Sequence, residues 1–329
     1  RPGAARRGRG GEVASPLPPD GWYPGCVAHL DVRPPPDPDP NSAKSQKRAR
    51  KWQMAKEARR QRRTEKKQAN GEEGRGRPPP KVDLETLPEE ERRRVEALRQ
   101  RWALEKDARL AALCQAMAEA PTVVLDCEWE SAMSQKQTAS AMRQVVDVYR
   151  FNRDAERPFR LHLSGLQRGS ITEERLRLRN FERWAPSPTL SERPYLRDFD
   201  KSRLVYVSPE GGEVADDFED PDAVFVLGAL HDGSALSGVS RLKADLQGIR
   251  SVRLPLTECV GIKGRDAILT TEQVLRIMLA RRAGVGWPEA LRAHVPARKL
   301  DNHSPRRKWR GQRPNRGADQ RREPSAAHA

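Results

Sequence analysis

From residue 121 onward the chain alternates short, continuously apolar runs with stretches of helical periodicity. Thr122–Asp126 is apolar up to its final Asp, and Leu204–Val207, Ala223–Leu227 and Val252–Leu256 are runs of the same kind, with Phe159–Leu163 a fifth. A run that is apolar on both faces suits a strand covered on both sides, which is how parallel sheets read. Between the runs, Gln135–Phe151 gathers Ala139, Met142, Val145, Val146 and Tyr149 on one helical face, and Arg241–Gln247 and Thr271–Ala283 are further helices. A last helix, Pro288–Val295, opens with proline in its first turn. The alternation predicts an α/β domain over residues 121–297, a mostly parallel sheet with helices on both faces. Residues 168–200 are charged, contain three prolines and read as an insertion or a long loop.

The rest of the chain differs in composition. The whole carries 62 Lys+Arg against 46 Asp+Glu, a formal charge of +16. Residues 44–67 hold 12 basic and two acidic side chains, a net +10, and residues 298–322 a net +8. Residues 1–43 are balanced, so the remainder is near neutral at −2. Two basic segments around a near-neutral body are the footprint of a polyanion partner, most often nucleic acid. Segment 1–43 is Pro/Gly-rich and reads as disordered. Its Arg-rich start reads as that or as a transit-peptide remnant, with nucleus or cytoplasm preferred to mitochondrion. Segment 44–70 consists of helix formers with too few apolar residues to bury a face, so it orders on binding; Trp52 within it either stacks on a base or docks on the body. Segment 71–120 is a linker and a helix from about Pro88 to Ala118, with Glu89–Glu91 in its first turn, where the helix dipole favours acids. Val95, Leu98, Trp102, Leu110, Leu113 and Met117 form its stripe, expected to pack on the folded domain or to extend an RNA-binding surface. Segment 298–329 is a basic, disordered tail, adding non-specific RNA affinity or directing nuclear entry.

Several chemistries are excluded. No run of about 18 apolar residues exists to span a membrane. The four cysteines, at 26, 114, 127 and 259, contain no C-x-x-C pair, which argues against a zinc ribbon or a disulfide framework. No G-x-G-x-x-G follows the first strand, there is no P-loop or H-E-x-x-H, and the six histidines are scattered; no metal site is expected. What remains lies at the carboxyl ends of strands, where α/β sheets bind ligands. Small residues at Gly228, Ala229, Gly233 and Gly238 let a ligand approach the backbone. Asp232 follows directly, as a proton acceptor, a ligand anchor or a turn cap.

The ordered series of segments then becomes recognisable. Lys47–Trp52 with the basic run after it, Met133–Lys136, Ala155–Phe159, Leu204–Val207, Val226–Asp232, Arg253–Leu256, Ala267–Thr270 and Trp287–Leu291 together resemble the tRNA methyltransferase 10 family of the SPOUT class. The resemblance covers about residues 44–299. It implies a SPOUT-type fold with a C-terminal trefoil knot that binds S-adenosyl-L-methionine. It also implies methylation of N1 of the purine at position 9 of tRNA, guanine or adenine, by a monomer. The family's proposed general base falls on Asp232. Its cofactor contacts fall on Val207, Gly228, Asp232, Gly233, Ser234, Ala235, Leu236, Ser240, Leu254, Ala267, Ile268 and Leu269. In this chain Gly228-Ala229 replaces a Gly-Gly pair, Val207-Ser208 stands where Leu-Thr is usual, and His231 replaces an aliphatic residue. The expected RNA contacts are Lys47, Arg48, Arg50, Lys51, Arg59, Arg60, Arg62 and Arg63 in the basic arm and Lys263 and Arg265 beside the cofactor, followed by Arg298 and Lys299. The alternative is a catalytically inactive tRNA-binding scaffold in a tRNA-processing complex.

Overall fold

The computed structural model describes residues 83–231 and 237–303, together with scattered positions between 42 and 61. The readings for most of 1–43, for 62–82 and for 304–329 lie outside the described residues. In chain order the regular elements are α1 (Glu89–Ala118), β1 (Thr122–Asp126), α2 (Gln135–Arg153), β2 (Arg160–Ser164), α3 (Ile171–Arg177), β3 (Thr189–Leu190), α4 (Tyr195–Asp198), β4 (Leu204–Val207), β5 (Glu213–Val214), β6 (Val224–Gly228), α5 (Val239–Gln247), β7 (Arg250–Arg253), α6 (Leu256–Val260), α7 (Thr271–Arg282), α8 (Trp287–His294) and α9 (Ala297–His303).

The seven strands form one sheet in the order β3-β2-β1-β6-β4-β7-β5. Each pairing is parallel. Alternate residues of the central strands divide between two cores, as a side-chain period of two requires. Val123, Leu125, Val205, Val207, Phe225 and Leu227 face the larger core, under α2, α7 and α8. Val124, Leu204, Tyr206, Val224 and Val226 face a smaller one, closed by Tyr195 and Ala244. This division explains why the strands read as continuously apolar. Helix ends are set locally: Ser134 and Gln137 form a capping box at the start of α2, and Thr270 and Gln273 form another at α7.

The structure corrects three expectations. Residues 168–200 are not a long loop but hold α3, β3 and α4. The Ser170 hydroxyl accepts from the Glu173 N–H at the start of α3, and the Glu130 carboxylate accepts from the N–H groups of Ile171 and Thr172. Thr172, Leu176, Phe181 and Tyr195 are buried; their irregular spacing among arginines hides the anchoring from a periodicity test. The apolar run Val252–Leu256 divides at Leu254-Pro255, β7 ending at Arg253 and α6 starting at Leu256. Finally, α1 does not pack along the domain. None of its 30 residues is buried, although Val95, Trp102, Leu110, Leu113 and Met117 are half-covered. No helix of the described residues is long and apolar enough to cross a membrane.

Candidate functional site

A cleft of about 920 Å³ opens where β4, β6 and β7 end. Strand order jumps here, since β6 lies between β1 and β4, and crevices at such points bind ligands in open α/β sheets. Val207, Leu227, Gly228 and Leu254 form its floor, and Ile268 and Leu269 one wall. Lys263 and Arg265 are exposed at its rim. Two hydrogen bonds tie the first residue of α7 to the floor and to α2: the Thr271 hydroxyl donates to the Gly228 carbonyl at 2.9 Å, and the Thr271 N–H donates to Gln144 Oε1 at 2.9 Å. Glu210, also on the lining, accepts from the Ser237 and Ser208 hydroxyls at 3.3 and 3.4 Å.

Beneath the floor lies a buried charged cluster. Lys243 Nζ sits 2.7 Å from Asp126 Oδ2 and 2.9 Å from Glu128 Oε2, and both Lys243 and Asp126 are 0% exposed. Trp129 Nε1 and the Tyr206 hydroxyl each donate to Asp126 Oδ2 at 3.0 Å. Burial alone would lower the Lys243 pKa, but Asp126 and Glu128 reverse this and the net direction is up. Burial, with Asp126 beside it, drives the Tyr206 phenol well above its ordinary 10.0. The ammonium therefore stays charged and the phenol stays a donor, so Asp126 Oδ2 is held by three donors at once. Removing one member of such a buried pair typically costs roughly 3–5 kcal/mol. A pair separated by 117 residues has no sequence signal beyond the single Asp ending β1.

Of the cofactor contacts expected from the resemblance, Val207, Gly228, Ser240, Leu254, Ala267, Ile268 and Leu269 come together on this one cleft. Asp232, Gly233, Ser234, Ala235 and Leu236 lie outside the described residues; the chain reaches them from His231 and leaves them at Ser237, and both of these line the cleft. In the arm, Lys47, Arg50, Lys51 and Arg60 are helical and exposed, whereas Arg48, Arg59, Arg62 and Arg63 lie outside the described residues. Two expectations change. Gly228 is small because of the protein beneath it: an added methyl would meet Leu230, Tyr206 and Trp129. Ala229 is 1% exposed in the larger core, so its methyl does not face the cleft. Lys299, expected on RNA, instead donates to the carbonyls of Asp266 and Ile268. Gln144, Glu210, Leu230 and Thr271 were not expected at the site. Only the Thr270 cap preceding a helix was a readable signal for the last of them.

A family model for tRNA (guanine(9)-N(1))-methyltransferase TRM10/TRM10A matches residues 39–300. The Drosophila melanogaster tRNA (guanine(9)-N(1))-methyltransferase Trmt10A is 30% identical over 54% of this chain and 55% of its own length. The Schizosaccharomyces pombe tRNA (guanine(9)-N1)-methyltransferase is 27% identical over 79% of each chain. A crystal structure of spTrm10(74) is 27% identical with a TM-score of 0.49, covering 54% of this chain and 97% of that one. The match thus spans about half the length of the Drosophila relative. The family model takes in the basic arm, the whole sheet and every residue described on the cleft, and the chain belongs to the tRNA (guanine(9)-N(1))-methyltransferase TRM10/TRM10A family.

Proposed function

We propose that this chain transfers a methyl group from S-adenosylmethionine to N1 of the purine at position 9 of tRNA, acting as a monomer in the nucleus or cytoplasm. The observation that carries the reading is the cleft itself: apolar walls, a cationic rim and a place at the strand ends, in a chain whose family model spans 39–300. Its volume lies in the small-molecule range of about 300–1,000 Å³. Leu227, Leu254, Ile268 and Leu269 offer an apolar slot for a purine ring, and Ser240 and the Glu210 carboxylate offer partners for ribose hydroxyls. The residues present therefore fit the cofactor. When bound, S-adenosylmethionine supplies a methyl already activated by its positive sulfur.

The chain's own work is to place the base and manage one proton. Guanine N1 carries a proton, so its lone pair becomes available only as that proton leaves. The Asp232 carboxylate is the proposed acceptor. Adenine N1 has a free lone pair, and on adenine Asp232 would orient rather than deprotonate. Exposing the base costs a few kcal/mol of unstacking, which phosphate contacts from residues 44–67, Lys263 and Arg265 offset. The C-terminal trefoil knot belongs to the same proposal.

The test is methylation of an unmodified tRNA pool with labelled cofactor, followed by mapping of the modified base. Label at N1 of purine 9 is expected, with Asp232→Asn losing guanine-9 methylation while still binding the cofactor. Full guanine-9 activity in that variant would remove Asp232 as the base. A melting scan separates an enzyme from an inactive scaffold: cofactor at 100 times its Kd stabilises a binding-competent fold by about 2.7 kcal/mol and leaves a scaffold unmoved.

A further inference from the structure

The segment between α6 and α7 forms one wall of the cleft; Ala267 and Leu269 pack against the larger core, but few backbone hydrogen bonds of its own hold the segment there. Its two ends are fixed. The Ile262 N–H donates to the Leu256 carbonyl, the Thr257 hydroxyl donates to the Ile262 carbonyl, and Thr270 is locked in the α7 capping box. Between them the Ile268 N–H reaches the Arg265 carbonyl at a long 3.3 Å. Gly261 and Gly264 take left-handed φ of +72° and +60°, and a methyl on either would meet nothing within 4 Å, so the segment stands away from the body at both points. Yet Ala267, Ile268 and Leu269 all line the cleft.

We infer that Lys299 is a positioning residue for the cofactor wall: from α9, its ammonium holds the carbonyls of Asp266 and Ile268 and so fixes the backbone that carries Ala267, Ile268 and Leu269. The Asp266 bond is 2.9 Å, and the same ammonium donates to the Ile268 carbonyl. An ammonium has three donors and no acceptor, which suits bridging two carbonyls two residues apart. The stem of the side chain is itself placed, because Leu300, which packs against the larger core, anchors α9, and the Lys299 and Leu300 N–H groups close its first turn on the Pro296 carbonyl. Burial lowers the Lys299 pKa, with Arg298 adding to this and Asp266 opposing it, consistent with an ammonium withdrawn from solvent. Arg298, by contrast, is exposed and remains available at the rim. That the wall serves S-adenosylmethionine rests on the proposed function; that Lys299 holds the wall does not.

The experiment uses the full chain and the variants Lys299→Met, which keeps the stem without donors, and Lys299→Gln, which restores a donor. Three quantities are read: hydrogen exchange of residues 263–270, S-adenosylhomocysteine affinity by calorimetry, and tRNA affinity. Lys299→Met should speed exchange in 263–270 with β1 unchanged. It should also weaken S-adenosylhomocysteine about tenfold and leave tRNA affinity within about twofold, with Lys299→Gln recovering part of the loss. Unchanged exchange in 263–270 would overturn the inference. So would a loss of tRNA affinity with S-adenosylhomocysteine binding intact, which would make Lys299 a phosphate contact. If Lys299→Met also loosened β1, Lys299→Gln decides the matter by the same criteria. A wild-type chain that failed to bind S-adenosylhomocysteine would sink the methyltransferase reading, while the exchange measurement would still decide the role of Lys299.

Discussion

A methyl group on Gly228 would lie 2.7 Å from Leu230 Cδ2 and 3.2 Å from the Tyr206 hydroxyl. The two neighbours respond differently. Tyr206 is fixed by its bond to Asp126, whereas Leu230 is the free end of a flexible side chain that already lines the cleft. Gly228→Ala should therefore push Leu230 into the cleft. Overpacking of this kind costs about 1–3 kcal/mol. We expect urea unfolding to show a loss of that order, and S-adenosylhomocysteine affinity to fall by roughly tenfold; unchanged affinity would mean that Leu230 moves elsewhere. His162 gives a second prediction. It is buried 3.3 Å from Asp198, whose other oxygen is held by Arg193, and burial pushes the imidazole below its ordinary 6.5. Asp198 opposes that shift and Arg193 adds to it. With the folded pKa below the unfolded one, the unfolded chain binds more protons between them, so stability is full above 6.5 and declines as pH falls through the folded value. His294, also lowered by burial, acts in the same direction. Melting temperature should thus fall from pH 7 toward about pH 5, before general carboxylate protonation dominates, and His162→Gln should flatten the fall. An equal slope in the variant would rule His162 out as a source.

The elements show where sequence patterns carry structure and where they stop. β1, β4 and β6 were readable because every residue but Gly228, the last of β6, is buried and the runs have no polar interruption before their ends. The place of the cleft was readable for the same reason, since parallel strands fix which end faces ligands. α3 was marked by Ser170 followed three residues later by Glu173, a start signal lost among dense arginines. The Lys243–Asp126 pair and the Lys299 bonds were not readable, because each joins elements that only the fold brings together, and carbonyls leave no mark in a sequence. α1 is the instructive failure: its stripe was visible, but a stripe does not name what it faces. At about 1.5 Å per residue its 30 residues extend about 45 Å. Its last three turns approach the domain, where Arg109 pairs with Asp154 at 3.6 Å and Met117 shares a small crevice with Tyr149 and Leu161. Deleting residues 1–112, which keeps the Met117 contact, should leave the melting temperature within about 3 °C of the full chain, a shift of about 1 kcal/mol or less. A drop of about 8 °C or more would show that α1 packs on the domain after all.

At the scale of the molecule, charge and chemistry are in different places. The body is close to neutral at −2, while residues 44–67 carry +10 and residues 298–322 carry +8. On the proposed function, affinity for tRNA then comes mainly from segments outside the sheet, and the cleft adds local contacts at Lys263 and Arg265. Each phosphate neutralised steepens the dependence of log K on log salt by about 0.7–0.9. A segment with net +10 that grips the backbone should account for several units of slope, and the two rim cations for about one or two. We therefore expect deletion of 44–67 to weaken tRNA binding strongly at low salt and to flatten the salt plot by at least about three units. Lys263→Ala with Arg265→Ala should flatten it far less but reduce methylation more per unit of lost affinity, because these side chains act beside the reacting base. Deleting 304–329 separates the two possible uses of the tail: a flatter slope assigns it to RNA, and an unchanged slope leaves only addressing. If the slope survives deletion of 44–67, the near-neutral body must hold the tRNA by other means, and the arm's place in this scheme is lost.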